Sequence, residues 1–126
     1  MCAITGIYNN KQASKLVAKA LKLMQNRGQD ATKTIKINKT STLGHNLHAI
    51  VGHTPQPLKS NLGILTANCE IYNWKELNKK LNIKTTNDAK TLLNFLDSLK
   101  LSEQASKDQE EIIKNLEKLD GVYAFA

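Results

Sequence analysis

Between Gln12 and Asn26 the apolar residues Leu16, Val17, Ala20, Leu21 and Met24 recur at the spacing of an amphipathic helix. Strand-like runs flank that stripe. Cys2–Tyr8 is apolar and interrupted by Gly6, as a buried first strand would be, and Lys33–Asn38 alternates polar with apolar side chains like a half-buried one. Gly28 lies just past the helical stripe, where a helix often ends in a left-handed residue. Strand character returns at Thr42–Val51 and Leu62–Asn68, separated by a loop marked by Pro55 and Pro57. Three helical stripes follow: Trp74, Leu77 and Leu81; then Ala89, Leu92, Leu93, Leu96 and Leu99; then Ile112, Ile113, Leu116 and Leu119. Thr86, Asn87 or Asp88 is placed to cap the second of these, and a polar stretch around Ser102–Glu110 precedes the third. Val122–Ala126 reads as a strand. Strand edges are normally covered or charged, so the expectation is that the natural chain continues past Ala126 or that a partner covers this edge.

A length of 126 residues fits a single domain. No stretch approaches the roughly 18 uninterrupted apolar residues of a membrane span, and the opening MCAITGIYNN lacks the basic and long apolar regions of a secretory signal. The only cysteines are Cys2 and Cys69, which excludes a disulfide scaffold and fits a reducing, cytoplasmic setting. Eighteen basic against 11 acidic residues give a formal net charge of +7, which invites a nucleic-acid partner. Yet Arg27 is the single arginine. The lysines, such as Lys15, Lys19 and Lys22 or Lys75, Lys79 and Lys80, fall between apolar positions of helical segments, the habit of a solvated face. His45, His48 and His53 with Cys69 offer zinc-type ligands in no compact motif, and His45 and His48 have opposite parity on a strand. Neither GxxxxGK[ST] nor GxGxxG occurs. The expectation is no metal, no cofactor and no membrane or nucleic-acid partner.

Cys2 is the residue with chemical potential. Removal of Met1 before so small a side chain would leave Cys2 with an α-amine of intrinsic pKa about 7.7–8.0, able to act as general base for its own thiol. A buried structural cysteine is the competing interpretation of this residue taken singly.

The neighbouring sequence adds a pattern. Met1-Cys2-Ala3-Ile4-Thr5-Gly6-Ile7 resembles the opening Met-Cys-Gly-Ile-x-Gly of class II glutamine amidotransferases. Asn26-Arg27-Gly28-Gln29-Asp30 is similar to their His-Arg-Gly-Pro/Gln-Asp segment, and Gln56-Pro57 falls where the asparagine synthetase branch carries Gln-Pro. Asn68-Cys69-Glu70-Ile71-Tyr72-Asn73 resembles that branch's Asn-Gly-Glu-Ile-Tyr-Asn, and Leu119-Asp120-Gly121-Val122-Tyr123-Ala124-Phe125-Ala126 its Leu-x-Gly-Met-Phe-Ala-Phe-Ala. The matches occur in order along the whole chain.

The resemblance implies an α+β, N-terminal-nucleophile fold: an αββα sandwich of two stacked, antiparallel-rich sheets between helical layers. It implies one amidotransferase domain over residues 1–126, incomplete at its C-terminus by analogy. The implied reaction is hydrolysis of the side-chain amide of L-glutamine to glutamate and ammonia through a Cys2 thioester, with the ammonia passed to a synthetase domain or subunit. Under it the side-chain amide of Asn68 and the backbone N–H of Cys69 form the oxyanion hole, Glu70 and Asp88 take the ammonium of glutamine, and Arg27, grouped with these substrate-binding residues, sits near the nucleophile, where its charge favours a thiolate. Asn68 also suits a strand-end turn, Asp88 a helix cap or first-turn acid, and Arg27 an ion pair with Asp30 or a contact with a helix-end carbonyl.

Two departures stand against full activity. Leu43-Gly44-His45-Asn46-Leu47-His48-Ala49-Ile50-Val51 places Leu47 where the family carries an arginine that clamps the glutamine α-carboxylate, and leucine cannot imitate a bidentate clamp. His48, one residue along, would point to the opposite face unless a bulge re-aims it. Cys69 replaces a glycine beside the oxyanion hole, where a side chain crowds the site. A catalytically inactive amidotransferase-like module for assembly or regulation is therefore the alternative reading, and a basic RNA-binding protein a third.

Overall fold

The N-terminal apolar run forms strand β1 (Ala3–Ile7), and the stripe after it forms helix α1 (Ala13–Leu23), which buries Ala13, Val17 and Leu21 one turn apart. The computed structural model to which these elements belong describes residues 1–50, 52–99 and 109–126. They divide into two compact units. The first comprises Met1–Lys59, Ile64–Asn68 and Ala124–Ala126; the second comprises Ser60–Gly63 and Cys69–Tyr123.

In the first unit, β2 (Ala31–Asn38) and β3 (Ser41–Leu47) join β1 in an antiparallel sheet of order β1-β3-β2. Every residue of the central strand β3 is buried, because each of its faces is covered. Thr42, Gly44 and Asn46 turn toward α1. Ser14 and Thr42 share a hydroxyl hydrogen bond of 3.0 Å, and the Asn46 carboxamide donates to the Leu21 carbonyl at 2.7 Å. A Cβ on Gly44 would press on the Val17 and Leu21 side chains, so glycine sets how closely the helix lies on the sheet. Leu43, His45 and Leu47 turn to the other face.

Two expectations need correction here. Gly28 does not end the helix in a left-handed turn. The helix closes at Met24, a 3-10 turn spans Gln25–Arg27, and Gly28 is extended with φ −166°. Glycine is required there for space, since a Cβ would come within 2.6 Å of the Asn46 carbonyl oxygen and the Leu47 carbonyl carbon. The alternation in β2 is also broken: the register shifts between Lys36 and Asn38, and Ile37 is 41% exposed rather than half-buried.

β4 (Leu58–Lys59) and β5 (Ile64–Leu65) form a two-stranded antiparallel sheet, and β6 (Ala67–Ile71) follows directly. The single strand expected over Leu62–Asn68 is thus two strands, with Leu62 exposed ahead of them. The strand expected to reach Val51 ends at Leu47; Val51 lies outside the described residues.

The second unit carries the remainder of β6, α2 (Trp74–Leu81), α3 (Asp88–Ser98), α4 (Gln109–Leu116) and most of β7 (Gly121–Phe125), which pairs with β6. In the first unit, Thr66 and Ala126 exchange two backbone hydrogen bonds of 2.8 and 2.9 Å, the signature of an antiparallel pair. Asn87 is the cap of α3, its side-chain oxygen accepting from the Lys90 N–H at 3.1 Å. Leu77 of α2 and Ala89, Leu92 and Phe95 of α3 are buried, and Thr91 donates to the Asn78 carboxamide at 2.8 Å. Of the third stripe, Leu119 is buried and Ile113 exposed. The polar stretch around Ser102–Glu110 lies outside the described residues except for the start of α4. A Cβ on Gly121 would overlap the Glu70 carbonyl, which fixes glycine at the start of β7. The fold is a small mixed α and β one, with antiparallel sheets and, among the described residues, four helices. None of those helices is long and apolar enough to cross a membrane.

Because the backbone of Gly28 already suits any residue, Gly28→Ala isolates the steric term. It is expected to lower stability by about 1–3 kcal/mol, the usual cost of overpacking. Urea unfolding at neutral pH checks this; an unchanged midpoint would mean that the chain segments lie farther apart than described.

Candidate active site

Cys2 immediately precedes β1. The rungs Ala3 to Asn46 and Ile4 to His45 set the alternation of the sheet, so Cys2 shares the face of Ile4, His45 and Leu47. Each polar group of Cys2 is engaged. Its backbone N–H donates to Asn68 Oδ1 at 3.0 Å, and its carbonyl accepts from Arg27 Nε at 3.2 Å. Its sulfur accepts from the His48 N–H at 3.4 Å and lies 3.8 Å from the His48 carbonyl, to which the thiol can donate. Because Cys2 presents an N–H, the oxygen of the Asn68 carboxamide is assigned to face it, which turns Nδ2 the other way. Met1, next to this cluster in sequence, is 71% exposed.

Asn68 is placed by its neighbour Ala67. The Ala67 N–H donates to Gln56 Oε1 at 2.8 Å, and the Ala67 carbonyl accepts from Gln56 Nε2 at 3.0 Å and from His45 Nε2 at 3.2 Å. Thr66 adds a hydroxyl bond to the Gly44 carbonyl at 3.3 Å. Gln56 is thereby bound at both ends of its carboxamide and is buried. Since a carbonyl only accepts, Nε2 of His45 carries the ring proton, and its Nδ1 is buried without a hydrogen-bond partner among the described residues.

The segment Arg27–Asp30 is fixed to the end of β3. Asp30 donates its N–H to the Leu47 carbonyl at 3.0 Å, and its carboxylate accepts from the Ala49 N–H at 2.7 Å and lies 3.8 Å from His48 Nδ1. The carbonyl that Arg27 meets is that of Cys2, which precedes a strand and is not a helix end. Leu47 is buried, and β3 reaches it without a register shift of its own. His48 follows beyond the strand and is exposed, so its ring does not take the buried position of Leu47.

In the second unit, Asp88 is the first residue of α3. Its Oδ1 accepts from the Ala89 N–H at 2.9 Å, and its Oδ2 from the Ile71 N–H at 3.2 Å, with Cys69 Sγ 3.8 Å away. A carboxylate in the first turn, bonded to backbone donors, stabilises the positive end of the helix. Glu70 is exposed. Both cysteines are reduced thiols. Among the described residues no group of three or more His, Cys, Asp or Glu side chains is arranged to hold a metal ion. Two contributions were not visible in the motifs: the main chain of His48 at the sulfur, and the pairing of His45 and Gln56 with Ala67. A hint lay in the strand pattern, where a histidine sits between Leu43 and Leu47 on what is otherwise an apolar face.

A family model of the glutamine amidotransferase domain matches residues 1–126, and the chain belongs to that family. No curated protein matches it. Membership implies glutamine as the substrate and an enzyme of amide nitrogen chemistry.

Burial lowers the pKa of the His45 imidazole from 6.5 to about 4, with the hydrogen bond to Ala67 acting in the opposite sense. The folded-state value lies below the unfolded one, so the unfolded chain binds more protons between those limits. Stability is therefore full above about pH 6.5 and falls as the pH drops toward 4. The expected loss from this residue between pH 7 and pH 4 is about 3 kcal/mol. Chemical unfolding across that range checks it, with His45→Gln expected to flatten the dependence.

Proposed function

We propose that the chain is the glutaminase domain of a class II amidotransferase, nearest the asparagine synthetase branch, with the N-terminal-nucleophile sandwich and one domain over residues 1–126. The observation that carries this reading is the 3.0 Å hydrogen bond from the backbone nitrogen of Cys2 to the Asn68 carboxamide. It brings the thiol-bearing residue and the Asn68 carboxamide together across a 66-residue separation.

In the processed chain the Cys2 nitrogen becomes an amine. It can keep a hydrogen bond to Asn68 Oδ1 and use its lone pair to take the thiol proton. The sulfur attacks the carboxamide carbon of glutamine, and the carbonyl π electrons move onto oxygen. The side-chain Nδ2 of Asn68 and the backbone N–H of Cys69 would receive that oxyanion. Collapse expels ammonia, which leaves with the proton first taken from the thiol, and a thioester remains. Water then adds to the thioester carbon, glutamate departs, and the thiol is restored. Glu70 and Asp88 would hold the substrate ammonium, Asp88 in addition to its helix role. Arg27 would fix the Cys2 carbonyl, and with it the direction of the nucleophile. No cofactor enters the scheme. Ammonia would pass to a synthetase domain or subunit in the cytoplasm.

One feature favours the second reading, an inactive module for assembly or regulation. The residue at the family's arginine position is Leu47, and it is buried in the sheet. That side chain supplies no charge for a carboxylate, so glutamine affinity is expected to be weak.

Protein whose mass shows loss of Met1 is expected to release ammonia from glutamine, and Cys2→Ala to reduce release to background. A chain that retains any residue ahead of Cys2 lacks the amine and is expected to lose about 10²–10⁴-fold in rate, the usual worth of a positioned general base. Ammonia release independent of Cys2, or none from folded, processed protein at high glutamine, would overturn the glutaminase reading and leave the module.

A further inference from the structure

We propose that His45 is a positioning residue: by donating to the Ala67 carbonyl beside Gln56, it holds Asn68 in register with the nitrogen of Cys2. Its catalytic consequence rests on the glutaminase reading above, whereas the placement stands on the geometry of the first unit.

His45 sits on a fully buried strand, flanked on its own face by Leu43 and Leu47, with no part of its surface exposed. A polar ring in such a place is costly unless bonded, and here only one nitrogen is satisfied among the described residues. A leucine would fill the position without that penalty, so the imidazole is explained by what its one bond does. That bond ends on Ala67, the residue before Asn68. Three hydrogen bonds from two side chains fix the Ala67 peptide groups. Asn68 is itself only half-buried, and its carboxamide oxygen is committed to Cys2. The main chain of Ala67 therefore sets where that carboxamide lies.

The groups facing His45 from the packed elements are Ile4 on β1, Lys33 on β2, and Gln56 and Ala67 opposite; Cys2, just ahead of β1, lies on the same face. Lys33 is the charged group among them, and its ammonium donates to the Pro57 carbonyl at 3.0 Å. No carboxylate stands in this set to receive a second imidazole proton. Protonation at Nδ1 would therefore place an uncompensated charge beside the Ala67 peptide and loosen it.

The test uses the full processed chain. His45→Leu is expected to lower kcat for glutamine hydrolysis about tenfold to a hundredfold with KM within about twofold, because the misplacement falls on the oxyanion donor. His45→Gln, which restores a donor, is expected to recover most of kcat. In the double variant His45→Leu/Asn68→Ala the rate should match Asn68→Ala alone, since both changes act through one group. Multiplying effects, or a loss confined to KM, would overturn the proposal. A second measurement needs no activity and no variant: NMR of the Asn68 side-chain amide in the wild-type chain. Its resonances are expected to move together with the His45 ring as that ring titrates in the acid range. Asn68 signals that stay fixed while His45 titrates in folded protein would overturn the placement. Absence of ammonia release from wild type would sink the glutaminase reading alone, and the NMR outcome would still decide the role of His45.

Discussion

Two side chains, Gln56 and His45, occupy the hydrogen-bonding positions at Ala67 that a neighbouring strand would otherwise fill. The rest of the first unit follows from that substitution. Gln56 acts as a one-residue strand, accepting from the N–H and donating to the C=O of the same residue. His45 reaches the same carbonyl from the middle of β3. β3 can supply this bond because its opposite face is closed by α1, with Gly44 admitting the helix and Asn46 bonding its last turn. Removal of either covering layer would leave the buried polar residues of β3 to water and its regular ladder without support.

The electrostatics of this unit are sparse. Asp30, a lone acid among many lysines, is bound to the Ala49 N–H just beyond the end of β3. Its role in the fold is to close the turn that presents the His48 main chain to the Cys2 sulfur. The lysines at 15, 19 and 22 stand outward from α1, as expected of a solvated helix face.

Elements whose signal is local were legible in the sequence. The stripe of α1, a cap for α3 among Thr86, Asn87 and Asp88, and the strand character of β1, β3 and β7 all depend on residues within a few positions of one another. Failures arose where a distant contact decided the outcome. Gly28 looked like a helix terminator, yet its neighbour is the backbone of Asn46 and Leu47, far along the chain. Ile37 followed a perfect alternation, but a register shift that composition does not encode turned it out. At the site, Cys2 and Asn68 were visible only as motifs in an ordered series. The His45 and Gln56 bonds to Ala67 span 22 and 11 residues and leave no periodic trace. The His48 contribution is made by main chain, which carries no side-chain signature at all.

Met1 stands in solvent while the nitrogen behind it is already docked on Asn68. The contacts of residue 2 with Asn68, Arg27 and the His48 main chain are thus made with Met1 in place. On the proposed reading, loss of the methionine would exchange an amide donor for an amine donor at the same address. Maturation on that reading is a change of chemistry at residue 2, from a peptide nitrogen without basicity to an amine that can take a proton.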